Sequence, residues 1–136
     1  MKVRAQVNAE QMVRVGQNAL YFDDYMVAIQ YFNQAITAKP YLAQPYFLRA
    51  IAKLNLEDYL GAEADASEAI ERNPFIVDAY EVRGVARQNR GRLEEAVADY
   101  NQALALFPKS RQLLFNKALA LSLIHISEPT RQAEIS

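Results

Sequence analysis

"VDAYEVRGVARQNRGRLEEAVADYNQALALFP", residues 77–108, reads as two helices joined by a tight turn. In the first half, Ala79, Tyr80, Val82, Val85 and Ala86 supply small or apolar side chains. Arg90-Gly91 interrupts, and Gly91 suits the left-handed residue that often follows a helix end. The second half opens with Glu94 and Glu95 in its first turn, where the positive end of the helix dipole favours acids. Leu93, Ala96, Val97, Tyr100, Ala103 and Leu104 then recur at helical spacing, the stripe of a helix packed on one side. Phe107-Pro108 closes it, since the residue before a proline avoids helical geometry.

The pattern repeats upstream. Pro40, Pro74 and Pro108 follow one another in steps of 34 residues. The same step aligns Gly16, Ala50, Gly84 and Ala118, and also Ala28, Ala62 and Ala96. It aligns Phe32, Ala66 and Tyr100, then Ala35, Ala69 and Ala103, then Tyr25, Tyr59 and Leu93. Each unit is therefore a helical hairpin, with Asp24 and Asp58 as expected N-caps of the second helices. The small columns, Ala28, Ala62 and Ala96 facing Gly16, Ala50 and Gly84, are expected where the two helices cross closely. Phe32 and Tyr100 are expected to supply bulk between units. A lone hairpin cannot bury its apolar face, so stability must come from stacking. Tyr25, Tyr46, Tyr59 and Tyr80 share this spacing and read as core, not as a stacking platform for a ligand.

These residues closely resemble the tetratricopeptide repeat, whose motif is W-x2-L-G-x2-Y, then A-x3-F, then P. The first unit has Met12, Val15, Gly16, Ala19, Ala28, Phe32 and Pro40 at those places. The second has Tyr46, Arg49, Ala50, Lys53, Ala62, Ala66 and Pro74, and the third Tyr80, Arg83, Gly84, Arg87, Ala96, Tyr100 and Pro108. No unit has the motif Trp, and Ala66 leaves one large position small. A fourth unit starts with Leu114, Lys117, Ala118 and Leu121 and then fails. The resemblance implies an all-α fold: antiparallel helix hairpins stacked as a right-handed superhelical α-solenoid. The organisation expected is an extension at 1–8 and a repeat domain at 9–121. Its units are 9–42, 43–76 and 77–110, with the first helix of a fourth from 111. Residues 122–136 form a tail foreign to the pattern.

The resemblance also implies that the first helices line a concave groove for peptides, helices or loops of partner proteins. On that register the groove takes Val13, Gln17, Leu20 and Tyr21 from the first unit, and Gln44, Phe47, Ile51 and Asn55 from the second. The third gives Asp78, Glu81, Val85, Gln88 and Asn89, and the fourth Gln112, Phe115 and Leu119. Apolar anchors ringed by amides suit a protein interface. A specialised groove of the family, the carboxylate clamp for heat-shock chaperone tails, needs Lys and Asn, then Asn, then Lys and Arg. The matching positions here are Val13 and Gln17, Leu48, then Asp78 and Val82, so this chain is expected not to be such a clamp.

Composition narrows the function further. The chain has 136 residues, net charge −1 and no cysteine, which removes disulfides, thiolate metal sites and Cys nucleophiles. Lys and Arg are scattered, so neither a basic nucleic-acid face nor the groove of an RNA-reading helical repeat is expected. Catalysis is not expected. The sole histidine, His125, lies outside the repeats, and no glycine-rich phosphate loop or metal-ligand spacing appears. No cofactor or metal is called for. The acidic run at 57–71 reads as a solvated helix face, and Arg49, Arg83 and Lys117 as side chains lying along the hairpin. The longest apolar run, 118–126, is too short for a membrane span, and the N-terminus lacks the apolar stretch of a signal peptide. The compartment is open: cytoplasm, or periplasm if a leader has been removed. The reading is a scaffold for a protein or peptide partner. A purely structural segment of a longer solenoid is the alternative.

The tail, "SLIHISEPTRQAEIS", 122–136, resembles a translated sequencing-adapter frame of the kind found at the ends of genes predicted from shotgun reads. That resemblance implies further repeats in the natural protein. Ser110 is expected to cap a last helix running to about Ser127, with Glu128-Pro129 as its stop. Its apolar outer face would be a route to self-association.

Overall fold

The computed structural model describes residues 8–135, with side chains described through Ile126. The expected extension 1–8 lies outside the described residues, apart from Asn8. So do the side chains of the tail from residue 127 onward. Hairpin one pairs α1 (Ala9–Tyr21) with α2 (Tyr25–Ala38). Hairpin two pairs α3 (Ala43–Asn55) with α4 (Tyr59–Arg72), and hairpin three α5 (Val77–Asn89) with α6 (Leu93–Leu106). A last helix, α7 (Arg111–Ile135), packs on α6. No strand occurs among the described residues. The helices stack in order as a right-handed solenoid of hairpins.

The helix ends follow local chemistry. The Asn8 side chain accepts from the Gln11 amide at 3.2 Å, the Asp58 side chain from the Gly61 amide at 2.9 Å, and the Ser110 hydroxyl from the Leu113 amide at 3.2 Å. Asp24 occupies the same cap position as Asp58 but makes no side-chain cap bond. In the turns inside the hairpins, one column is left-handed: Asp23, Glu57 and Gly91 have φ of 59°, 63° and 80°. Gly91 adopts this freely, while Asp23 and Glu57 carry a cost of about 1 kcal/mol each. The end of α7 differs from expectation. The helix does not stop before Pro129 but runs to Ile135. A proline removes a single N–H from the ladder, and the helix spans that one missing bond.

Packing inside a hairpin is a matter of size matching. A side chain on Gly16 would meet the Phe32 ring at 2.4 Å, and one on Gly84 would meet the Tyr100 ring at 2.5 Å. The small column therefore lies against these rings, which fill the hairpins themselves. In hairpin two the same pair is Ala50 and Ala66, both fully buried and clustered with Val82. Gly goes with a ring and Ala with Ala. Ala66 is thus no defect in the repeat, because its partner kept a methyl group.

Between hairpins, tyrosines stitch the turns. Tyr46 donates its hydroxyl to the Pro40 carbonyl at 3.0 Å, and Tyr80 to the Pro74 carbonyl at 2.9 Å. Arg72 donates to the same Pro40 carbonyl at 2.8 Å and lies 4.0 Å over the Tyr46 ring, a cation–π contact. In α7 the register places Leu114 where these tyrosines stand, and no stitch forms. Leu114 is 50% exposed, and Ala118 and Leu121 are exposed beside it. These are the positions that receive the second helix in the other units.

The size matching makes a sharp expectation. Gly84→Ala should lose about 1–3 kcal/mol in chemical denaturation through overpacking against Tyr100. Helix propensity alone would instead give a gain of about 1 kcal/mol. Ala66→Phe should likewise destabilise, and adding Ala50→Gly should recover part of the loss.

Candidate functional site

The helices α1, α3, α5 and α7 touch one another in sequence, whereas among the described residues α2, α4 and α6 do not. The first helices therefore form the inner, concave layer. Along it the step of 34 places residues in columns. One column holds Val13, Phe47, Glu81 and Phe115, and the next Gln17, Ile51, Val85 and Leu119. Glu10, Gln44, Asp78 and Gln112 flank them on one side, and Tyr21, Asn55 and Asn89 on the other.

The expected groove residues differ in how open they are. Phe115 is 63% exposed, and Leu119 and Tyr21 are also exposed. Phe47, Ile51, Val85, Glu81, Gln88 and Leu20 are half-buried; Gln17, Gln44, Asn55, Asp78, Asn89 and Gln112 are exposed. Val13 is only 5% exposed and belongs to the core that joins hairpin one to α3, with Phe32 and Leu48. It contributes the floor of a hollow of about 290 Å³ that it shares with Glu10, Arg14, Gln17, Leu42 and Gln44. Several amides are already engaged. Asn55 and Asn89 each donate to the carbonyl four residues back, Ile51 and Val85, at 2.9 Å. Gln88 accepts from the Tyr100 hydroxyl at 2.8 Å, and Gln112 donates to Asn116 at 2.9 Å.

Behind the groove lies a charged lattice that the sequence reading missed. Asp65 is 4% and Asp99 2% exposed, so the acidic run 57–71 is not simply a solvated face. Arg49 grips Asp65 with two bonds of 2.8 and 2.7 Å, and Arg83 grips Asp99 with bonds of 3.0 and 2.7 Å. Each guanidinium also reaches the preceding hairpin: Arg49 donates to Asn33 at 2.7 Å, and Arg83 to the Ser67 hydroxyl at 3.2 Å. Lys53 adds a second cation to Asp65 at 2.9 Å, and Arg87 a second to Asp99 at 2.9 Å. Arg49 and Arg83 are therefore anchored, not merely laid along the hairpin. The signal was present: Asp65 and Asp99 are one step of 34 apart, each sixteen residues after its arginine. Hairpin one lacks the device, with Val15, Ala19 and Tyr31 at the matching places.

Glu63 is held by Arg87 at 2.9 Å and by Arg90. Burial alone would raise its pKa, but the bonds from the two arginines outweigh it and hold the carboxyl below its ordinary range. Glu81 stands apart. Its side chain makes no hydrogen bond or ion pair among the described residues, and neither does that of its neighbour Asp78. Burial first, and Asp78 second, push the Glu81 carboxyl above its ordinary value. Burial, followed by the Glu81 and Asp99 charges, also pushes the Tyr100 phenol up. No group of His, Asp or Glu suited to a metal ion occurs among the described residues. No described helix is long and apolar enough to cross a membrane.

The family profile of the tetratricopeptide repeat matches residues 47–111 and 86–121, more than half of the chain. The chain belongs to the tetratricopeptide repeat family. No curated protein sequence matches it. Among solved structures it is similar to the Arabidopsis OM64 TPR domain, at 30% identity and a TM-score of 0.82, over 84% of this chain and 94% of that one. It is also similar to the first TPR of Spaghetti (RPAP3) bound to the HSP90 peptide SRMEEVD, at 27% identity and TM-score 0.84, covering 86% and 93%. A third is the second TPR domain of human RPAP3 in complex with the HSP70 peptide SGPTIEEVD, at 26% and 0.78, covering 83% and 98%. Within the tetratricopeptide register, the clamp positions Val13, Leu48 and Val82 are all buried in this chain.

Two expectations test the charges. Asp99→Asn leaves Arg83 and Arg87 without their shared anion and should cost about 3 kcal/mol in urea unfolding. For Glu81, the folded state holds its proton more tightly than the unfolded chain does. Its share of stability is therefore fully present below the ordinary carboxyl range and is lost as pH rises through the raised value. Glu81→Gln should melt above the wild type at neutral pH, and the difference should vanish in acid. Equal melting temperatures at neutral pH would contradict this.

Proposed function

We propose that this chain is a protein-interaction scaffold that binds a peptide or helical segment of a partner in its concave layer. The observation that carries the reading is the pair of inner columns, Val13-Phe47-Glu81-Phe115 and Gln17-Ile51-Val85-Leu119. They cross all four inner helices, interrupted at Gln17 and Glu81, and their apolar members grade from buried at Val13 through half-buried at Phe47 to open at Phe115. Half-buried and exposed apolar groups along the layer, rimmed by polar ones, suit a peptide laid across the units. The similar RPAP3 domains bind HSP90 and HSP70 peptides, which supports peptide binding as the mode.

The chaperone-tail clamp is not the mode we assign. A carboxylate terminus needs cations facing it. Here two of the clamp places that call for Lys or Arg hold Asp78 and buried Val82, and a third holds buried Val13.

The reading is tested with peptides selected from a displayed random library on the immobilised chain. Titrated into isotope-labelled protein, they should shift amide signals along α1, α3, α5 and α7. Phe115→Ala and Ile51→Ala should each weaken binding ~tenfold, as interface anchors do. The peptide SRMEEVD should not bind. Shifts confined to α2, α4 and α6 would place the partner on the convex side and sink the proposal.

A further inference from the structure

The inner layer is apolar or amide along much of its length, with charge at Glu10 and Arg14 on α1 and at Asp78 and Glu81 on α5. In the column Val13-Phe47-Glu81-Phe115, Val13 is buried, Phe47 and Phe115 present apolar side chains, and the third unit presents a carboxylate. Asp78, one turn earlier on α5, adds a second. Elsewhere in the solenoid, half-buried or buried acids have cations. Asp65 has Arg49 and Lys53, Asp99 has Arg83 and Arg87, and Glu63 has Arg87 and Arg90. Those same bonds commit the arginines of α3 and α5 to the seams behind the groove. Glu81 and Asp78 have no cation among the described residues.

A half-buried carboxylate without a partner is costly, because its desolvation is not offset by a counter-charge. Phe47 and Phe115 hold the same place as Glu81 on the helices before and after it, and the partial burial of Glu81 strengthens its interaction with a charge placed beside it. The missing counter-charge is thus the strongest electrostatic demand that the groove makes on a ligand. We infer that the partner segment brings a lysine or arginine to Glu81 and Asp78, next to apolar side chains that pack on Ile51, Val85 and Phe115. The inference rests on the groove reading above and specifies the chemistry of its ligand. It also accounts for the choice against acidic chaperone tails, which would meet like charge there.

The test uses the full chain. Peptides selected from a displayed random library should be enriched in Lys or Arg beside apolar residues. The doubly neutralised variant Glu81→Gln with Asp78→Asn should bind them ~tenfold more weakly, and added salt should weaken the wild-type complex. Selection on Glu81→Lys with Asp78→Lys should turn toward Asp and Glu. Melting curves of the variants establish that the fold persists. If the neutralised variant binds as tightly as the wild type while Ile51→Ala or Phe115→Ala loses the peptide, the cation is overturned and the groove reading stands. If neither set of substitutions affects binding, the groove reading fails and this inference falls with it.

Discussion

The guanidinium groups of Arg49 and Arg83 occupy the seams where three helices meet. Each reaches the outer helix of the hairpin before it and the aspartate of its own outer helix. A planar fork can grip the carboxylate with two bonds while a further N–H reaches the neighbouring hairpin, a geometry that lysine's compact ammonium does not match. The inter-hairpin bonds set register as well as energy, because a hairpin that slid along its neighbour would lose Arg49–Asn33 or Arg83–Ser67 and part Glu63 from Arg87 and Arg90. The tyrosine stitches to Pro40 and Pro74 act at the other end of the same interface. Stacking in this solenoid is therefore directional, not merely hydrophobic.

The groove inherits its character from those seams. Cations on α3 and α5 are drawn to Asp65, Asp99 and Glu63 on the outer helices, which leaves the inner surface short of positive charge. Within the hairpins, the match of Gly16 to Phe32, Ala50 to Ala66 and Gly84 to Tyr100 brings the outer helix close. The inner face is thus pressed into a continuous floor, with Val13 and Phe47 sunk into it and Phe115 standing above. The carboxylate of Glu81 is exceptional because it is the point where the floor's apolar column is interrupted.

Much of the fold was legible because period, proline and glycine are visible one residue at a time. The hairpins, the left-handed Gly91 and the Asp58 and Ser110 caps follow from local chemistry. Two features were not legible in that way. Whether Asp65 is solvated depends on a partner sixteen residues earlier on another helix, and only a search for coupled columns would have joined it to Arg49. The depth of a groove residue depends on its neighbours too. Val13 and Phe115 share a column, yet Val13 lies in the packed core while Phe115 stands out on the last helix. The continuation of α7 through Pro129 shows the limit of a single-residue rule.

The contact between successive inner helices, and its lack between successive outer ones, gives the solenoid the mechanics of a curved beam. Its compression side is filled and its tension side is slack. Tighter curvature meets the contacts between inner helices at once. Flattening has room on the outside and strains only the few inner contacts and the arginine seams. For the groove binding proposed above, a thick ligand would be accommodated by unbending and a thin one would not be gripped by further curling, so the resting arc would set the smallest girth held firmly.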